Sequence, residues 1–297
     1  MSSTDQAAPE KIAGAPISWG VCEVPGWGHQ LPADRVLREM AALGLTATEF
    51  GPDGFLPAEP QVRADVLRGH GLQALGGFTP LLLHVREHDP VPEVEAALPA
   101  YAASGADVMV LSAVTGLDGY DSRPTLDTDG WNRLLGNLDR LAAVAAQAGV
   151  RAVLHPHVGT MVETGEDVQR VLSGAQVSLC LDTGHLLIGG TDPAELARQA
   201  PDRIAHTHLK DVDASVAALV QDGRLTYYEA VRQGMYRPLG TGDVDVTAIV
   251  GHLRASGYDG WYVMEQDTVL EDVPTGEGPI VDVRSSADHL RTVLQTG

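Results

Sequence analysis

Eight short apolar runs alternate along the chain with stretches whose apolar residues recur at helical spacing, and this rhythm constrains the fold more than any single motif. Ile12 to Trp19 reads as the first strand. Pro32-Ala-Asp-Arg then opens a stretch with Val36, Leu37, Met40 and Leu43 on one helical face, which Gly44 stops. Thr46 to Phe50 reads as the second strand. Leu72 to Gly76 is the third, after a helical stretch around Val62 to Leu67. Asp107 to Ser112 is the fourth, after the helical Glu93 to Ala103. A strong helix covers Trp131 to Ala148, with Leu134, Leu135, Leu138, Leu141 and Ala145 on one face, and Gly149 closes it. The remaining strands are Val150 to Leu154, Val177 to Leu181, Ile204 to Leu209 and Tyr262 to Met264, with helices over Val246 to Ala255 and Ala287 to Leu294.

Regular β-α alternation implies a parallel sheet. Eight units in 297 residues fit an α/β fold of the (β/α)₈ barrel type better than two doubly wound halves. A doubly wound nucleotide-binding sheet would want a glycine-rich turn after an early strand, and neither GxGxxG nor GxxxxGK[ST] is present. No Pro/Gly/Ser linker divides the chain, so one barrel domain is expected over 11–297, after a disordered polar tail over 1–10. Between Asp211 and Asp245 the rhythm breaks for about thirty residues, too long for an ordinary βα loop. The segment reads either as a substrate cover or as an oligomer contact.

Polar residues end these apolar strands at one rim. Glu49 ends the second, His155 the fifth, Asp182 the sixth, His208 the seventh and Glu265 the eighth. Singly, each has a bland reading: a strand-end histidine is commonly hydrogen-bonded structure, and Asp182 before Thr-Gly-His could be a helix cap. Together, His155, Asp182, His208 and Glu265 form a mixed nitrogen and oxygen set. That set suits Mn²⁺ or Co²⁺, with Zn²⁺, Fe²⁺ or Mg²⁺ as alternatives. Strand periodicity turns His206 and His208 the same way, which puts His206 deeper in the barrel. Trp19 and Trp27 flank a Gly-rich first loop and could stack on a sugar ring or simply pack the mouth. Lys210 could place a cation at the rim, although a surface lysine is the default.

The formal net charge of −20 would repel phosphate backbones, which argues against nucleic acid. The N-terminus does not read as a signal peptide, and no run approaches the roughly 18 apolar residues of a membrane span. Cys22 and Cys180, far apart, give no disulfide framework. A cytoplasmic protein is expected, without a membrane partner and with a homo-oligomer open.

The blocks Cys180-Leu-Asp-Thr-Gly-His-Leu, Asp202-Arg-Ile-Ala-His-Thr-His-Leu-Lys-Asp-Val and Gly260-Trp-Tyr-Val-Met-Glu-Gln-Asp occur in that order. With Ala15-Pro-Ile-Ser-Trp, Leu45-Thr-Ala-Thr-Glu-Phe-Gly and His155-Pro-His-Val-Gly-Thr, they resemble the xylose isomerase-like barrels of the sugar isomerase and epimerase superfamily. Within it the resemblance is closest to the inosose dehydratases. The resemblance implies that Asp182, His208 and Glu265 are metal ligands and that His185, and with it Glu163, contacts substrate. It also implies a role in inositol catabolism. Epimerases of the superfamily usually carry a glutamate where His155 stands, so its loss favours elimination over epimerisation. The first loop and the end of the fourth strand lack acidic or amide residues that the inosose dehydratases carry, which touches the substrate more than the metal.

The chemistry expected is abstraction of an α-proton from a keto-polyol, followed by loss of water. His157 or His185 is the candidate base, Glu49 the candidate acid, and a metal stabilises the enolate. A keto-sugar isomerase or epimerase using the same enolate is the alternative. A non-catalytic sugar-binding barrel or subunit stands third, and a superfamily DNA-repair endonuclease is disfavoured by the acidic surface.

Overall fold

The computed structural model describes residues 11–296, so the polar tail expected over 1–10 lies outside the described residues. Eight parallel strands form a closed barrel. They are Ile12–Gly14, Ala47–Thr48, a broken third strand of Gln73–Ala74 and Gly76–Leu81, Val108–Ala113, Arg151–Leu154, Ser178–Asp182, Ile204–Leu209 and Tyr262–Met264. Each pairs with its sequence neighbour, and the first pairs with the eighth. Buried Val, Leu and Ile on both faces are what a parallel sheet under helices demands.

The first strand is shorter than its apolar run. Pro16 cannot donate to the ladder, and the chain turns into a 3₁₀ helix over Pro16–Trp19. The third strand is longer than expected and kinks between Ala74 and Gly76. Its first half pairs with the second strand and its second half with the fourth, which closes the ring. A methyl group on Gly76 would sit 1.6 Å from the Val108 carbonyl oxygen, so the closure depends on a bare backbone there.

The helices follow the sequence rhythm. Val246–Ala255 begins and ends where the spacing puts it, and Thr164 with Asp167 forms a reciprocal capping box ahead of Gly165–Gly174. Among the described residues no helix is long and apolar enough to cross a membrane.

The long segment after the seventh strand is ordered by one buried carboxylate. Asp211 accepts hydrogen bonds from the backbone N–H groups of Val212, Gly240, Gly242 and Val244. Asp211–Val212 pairs antiparallel with Tyr236–Arg237, and helices Ala214–Gln221 and Tyr227–Arg232 fill the excursion. The segment folds back over the barrel mouth and delivers Tyr227 to the wall of the central pocket.

Gly76→Ala should therefore lower stability by about 3 kcal/mol or more through overpacking. Gly136→Ala, on an exposed turn of Thr128–Gln147 with open space around it, should raise stability by up to about 1 kcal/mol. Urea midpoints of the two variants check the contrast, and a Gly76→Ala midpoint equal to wild type would contradict the account of closure.

Candidate metal centre and substrate pocket

Asp182 ends the sixth strand and is fully buried. Its Oδ1 accepts from the N–H groups of Gly184 (3.0 Å) and His185 (2.8 Å), capping the helix Thr183–Ile188. Its Oδ2 lies 3.0 Å from His155 Nε2, 3.3 Å from Lys210 Nζ and 3.6 Å from His208 Nδ1. The helix-cap reading and the ligand reading of Asp182 thus describe two oxygens of one carboxylate.

Glu265 leaves the eighth strand beside this group. Its Oε2 lies 3.2 Å from His208 Nδ1 and 3.0 Å from Lys210 Nζ. His155, Asp182, His208 and Glu265 therefore converge from four successive strands. His155, Asp182 and His208 each offer a ligand atom within 4.8 Å of the others. His155 Nδ1 and His208 Nδ1 are buried without a hydrogen-bond partner. A buried ring nitrogen left unpaired against two carboxylates, as His208 Nδ1 is, fits a cation, and imidazole with carboxylate suits Mn²⁺, Co²⁺, Fe²⁺ or Zn²⁺.

Lys210 is not a surface residue. It is buried, with its ammonium 2.8 Å from Asp267 Oδ1 as well as on Asp182 and Glu265. Burial opposes its charge, but Asp182, Asp267 and Glu265 outweigh that and hold it well above its ordinary pKa. Its backbone is tied to Thr183, whose hydroxyl donates to the Lys210 carbonyl at 2.6 Å and accepts from its N–H at 2.8 Å. Asp267 also accepts from the Tyr227 hydroxyl at 2.6 Å, and that hydroxyl meets Tyr236 Oη at 2.9 Å.

The pocket above these groups has a volume of about 220 Å³. His155, His157, His208, Lys210, Glu265 and Asp267 supply its polar floor, with Trp27, Phe78, Tyr120 and Tyr227 as aromatic walls. Burial, reinforced by His155 and Lys210, pushes His157 down to about 3, so its imidazole is neutral. His157 Nδ1 lies 2.7 Å from the Val158 carbonyl, which can only accept. Nδ1 is therefore the protonated nitrogen, and Nε2 carries the lone pair.

Four residues expected in the site stand differently. Trp19 is wholly buried away from the pocket, its indole N–H on Glu39 Oε2 at 2.8 Å, because the 3₁₀ turn swings it back into the core. Glu163 is half-buried, accepts from the Gly159 N–H and pairs with Arg123, and does not line the pocket. His185 lies behind His157, with ring centroids 3.6 Å apart, and its Nε2 is taken by Lys210 at 3.0 Å. Glu49 does line the pocket, but its Oε1 is held by His206 (2.8 Å) and His208 (3.0 Å). Against burial, those two rings keep its carboxyl well below the usual range, which leaves Glu49 no proton to give as an acid. His206 sits deeper than His208, as strand periodicity requires.

Asp267, Tyr120 and Phe78 are not singled out by the sequence, whereas Tyr227 lies in the segment that reads as a substrate cover or an oligomer contact. Asp267 had one available signal, since it lies two residues beyond Glu265 at the same strand exit. Cys22 and Cys180 are both free, Cys180 buried and Cys22 at the pocket wall.

Comparison with known proteins agrees with this architecture. A family model described as xylose isomerase-like TIM barrel matches residues 37–293. Inosose dehydratase of Geobacillus kaustophilus is 33% identical over 277 residues, covering 87% of this chain and 88% of its own. Rhizopine catabolism protein MocC of Rhizobium meliloti is 35% identical over 292 residues, covering 94% of this chain and 87% of its own. Among solved structures, a D-allulose 3-epimerase from Methylomonas sp. superposes with a TM-score of 0.69 at 16% identity, over 96% of this chain and 98% of its own. The IOLI protein with a bound zinc atom superposes with a TM-score of 0.67 at 16% identity, over 96% and 98%. At such identities these two structures show the fold alone. The chain belongs to the xylose isomerase-like TIM barrel family, and within it is an inosose dehydratase-like enzyme.

Proposed function

We propose that the chain is a hydro-lyase that removes water from a keto-polyol of the 2-keto-myo-inositol kind, with a divalent cation, Mn²⁺ or Co²⁺, held by His155, Asp182, His208 and Glu265. One observation carries the reading: these four side chains, from four successive strands, aim nitrogen and oxygen donors at one another beneath a pocket of small-molecule size. The inosose dehydratases among the relatives and the zinc atom in the IOLI structure support it. When bound, the cation would polarise a ketone oxygen and stabilise the negative charge that grows there as the α-proton leaves.

The protein's own groups supply the rest. His157 Nε2, neutral and facing the pocket, takes the α-proton. His185 stacks against His157 and holds it in place. The Lys210 ammonium, at the pocket lining, stays protonated and steadies the negative charge that grows on the substrate. The proton that His157 takes passes to the departing hydroxyl, which leaves as water, so both side chains end the turnover as they began. The apolar and aromatic walls bury the flat ring faces of the substrate and exclude water.

The position of His155 favours dehydration over epimerisation. The lining carries the imidazoles of His155 and His157, and His155 Nε2 is engaged by Asp182. At the position where the resemblance expects an epimerase's glutamate, His155 offers no carboxylate to shuttle a proton.

Incubation of purified protein with 2-keto-myo-inositol and Mn²⁺ should yield a product lighter by one water on mass spectrometry. An isomer of unchanged mass would favour the isomerase or epimerase alternative. Exhaustive chelation should abolish turnover, and activity surviving it would sink the metal-dependent reading. His157→Gln should lower kcat by about 10² to 10⁴-fold with the fold intact, read by steady-state kinetics and circular dichroism.

Lys210→Met leaves Asp182, Glu265 and Asp267 buried without their shared ammonium. In chelator-treated protein it should cost about 3–5 kcal/mol by urea denaturation. Arg38→Met, which breaks an exposed pair with Asp34, should cost under about 1 kcal/mol. Equal costs for the two would contradict the structural role given to Lys210.

A further inference from the structure

Glu49 lies on the second-strand side of the barrel and His208 on the seventh, with the first and eighth strands between them in the sheet. Their contact therefore crosses the barrel interior. His208 Nε2 lies 3.0 Å from Glu49 Oε1, and an ionised carboxylate can only accept, so Nε2 carries the proton. In the neutral ring Nδ1 then holds the lone pair. That nitrogen is buried, has no hydrogen-bond partner, and faces Glu265 Oε2 at 3.2 Å and Asp182 Oδ2 at 3.6 Å. A lone pair against two carboxylates is repulsive unless positive charge lies there, a proton on Nδ1 in the metal-free protein or a cation that displaces it.

A second histidine holds the strut in place. His206, two residues back on the same strand face, approaches the same Oε1 at 2.8 Å. Thr48, next to Glu49, donates its hydroxyl to the Glu49 carbonyl at 3.0 Å. All three side chains of the strut are buried.

Resting on the metal-dependent reading above, we propose that Glu49 and His206 are positioning residues that lock the His208 ring with its proton on Nε2 and present Nδ1 to the cation. A carboxylate or similar acceptor behind a ligating histidine fixes its tautomer and raises its basicity. Glu49, His206 and His208 could instead hold a cation of their own, since their donor atoms also lie within 4.8 Å of one another. The hydrogen bonds decide against that. Both Nε2 atoms of this trio are already paired through Glu49, whereas the partnerless His208 Nδ1 faces Asp182 and Glu265 in the other cluster.

The test titrates chelator-stripped full-length protein with Zn²⁺ by calorimetry and records long-range ¹H–¹⁵N spectra of the zinc-loaded, ¹⁵N-histidine-labelled protein. Wild type should bind one equivalent and show a proton on His208 Nε2 with the shift of a carboxylate partner. Glu49→Leu should weaken Zn²⁺ binding by about a hundredfold and move that resonance, with unfolding still cooperative. Glu49→Gln keeps an acceptor oxygen but loses the charge, and should weaken binding by about tenfold. His206→Gln should act in the same direction. Should Glu49→Leu fail to fold, the two glutamine variants carry the test. Unchanged affinity and an unmoved resonance in folded variants would overturn the positioning role alone. Two equivalents in wild type, with one lost on changing Glu49, would overturn it in favour of a second cation site. No Zn²⁺ bound by wild type would overturn this inference and the metal-dependent reading together.

Discussion

The Asp182 carboxylate is the constraint on which the site depends. One oxygen caps the helix Thr183–Ile188, and the other meets His155, His208 and Lys210. Taking a carboxylate out of water costs several kcal/mol, and here two backbone N–H groups and the surrounding cations and imidazoles offset it. Coupling follows from the shared group. The helix that Asp182 starts also carries His185, which stacks on His157, and Thr183, which ties down Lys210. Fixing one carboxylate thus fixes the base, the ammonium and the ligand cluster relative to one another.

Charge is arranged in two layers around that point. The deeper layer contains Glu49, His206 and His208, joined across the barrel by the two hydrogen bonds on Glu49 Oε1. The upper layer, at the pocket floor, contains Lys210, Glu265 and Asp267, with Tyr227 brought in by the segment after the seventh strand. Burial keeps His157 and His185 neutral beside this charged layer. A neutral imidazole can take the α-proton and return it to the departing hydroxyl, while the neighbouring ammonium steadies the negative charge in between.

Much of this was legible because strand periodicity and β-α alternation are local signals. Eight strands, the helix Val246–Ala255 and the deeper position of His206 all follow from spacing. The misplaced residues share a different cause. Trp19 reads as a residue of the barrel mouth, stacking on a sugar or packing there, because its apolar run looks like one strand, but Pro16 turns the chain and points the indole into the core. Glu49 looks like a free acid at a strand end, and only contacts crossing the barrel show that two histidines occupy it. The burial of Lys210 and the contribution of Tyr227 come from residues 25 to 106 positions away pairing in space, which no local pattern encodes. Gly76 closes the ring through its close approach to Val108, a neighbour set by the barrel and not by the sequence around it.

Anomalous diffraction from crystals grown with Mn²⁺ tests the central claim most directly. The account predicts one strong peak per chain, within bonding distance of His155, Asp182, His208 and Glu265, at the floor of the pocket. A peak coordinated by Glu49, His206 and His208 instead, or no peak near either group in protein that turns over substrate, would contradict it.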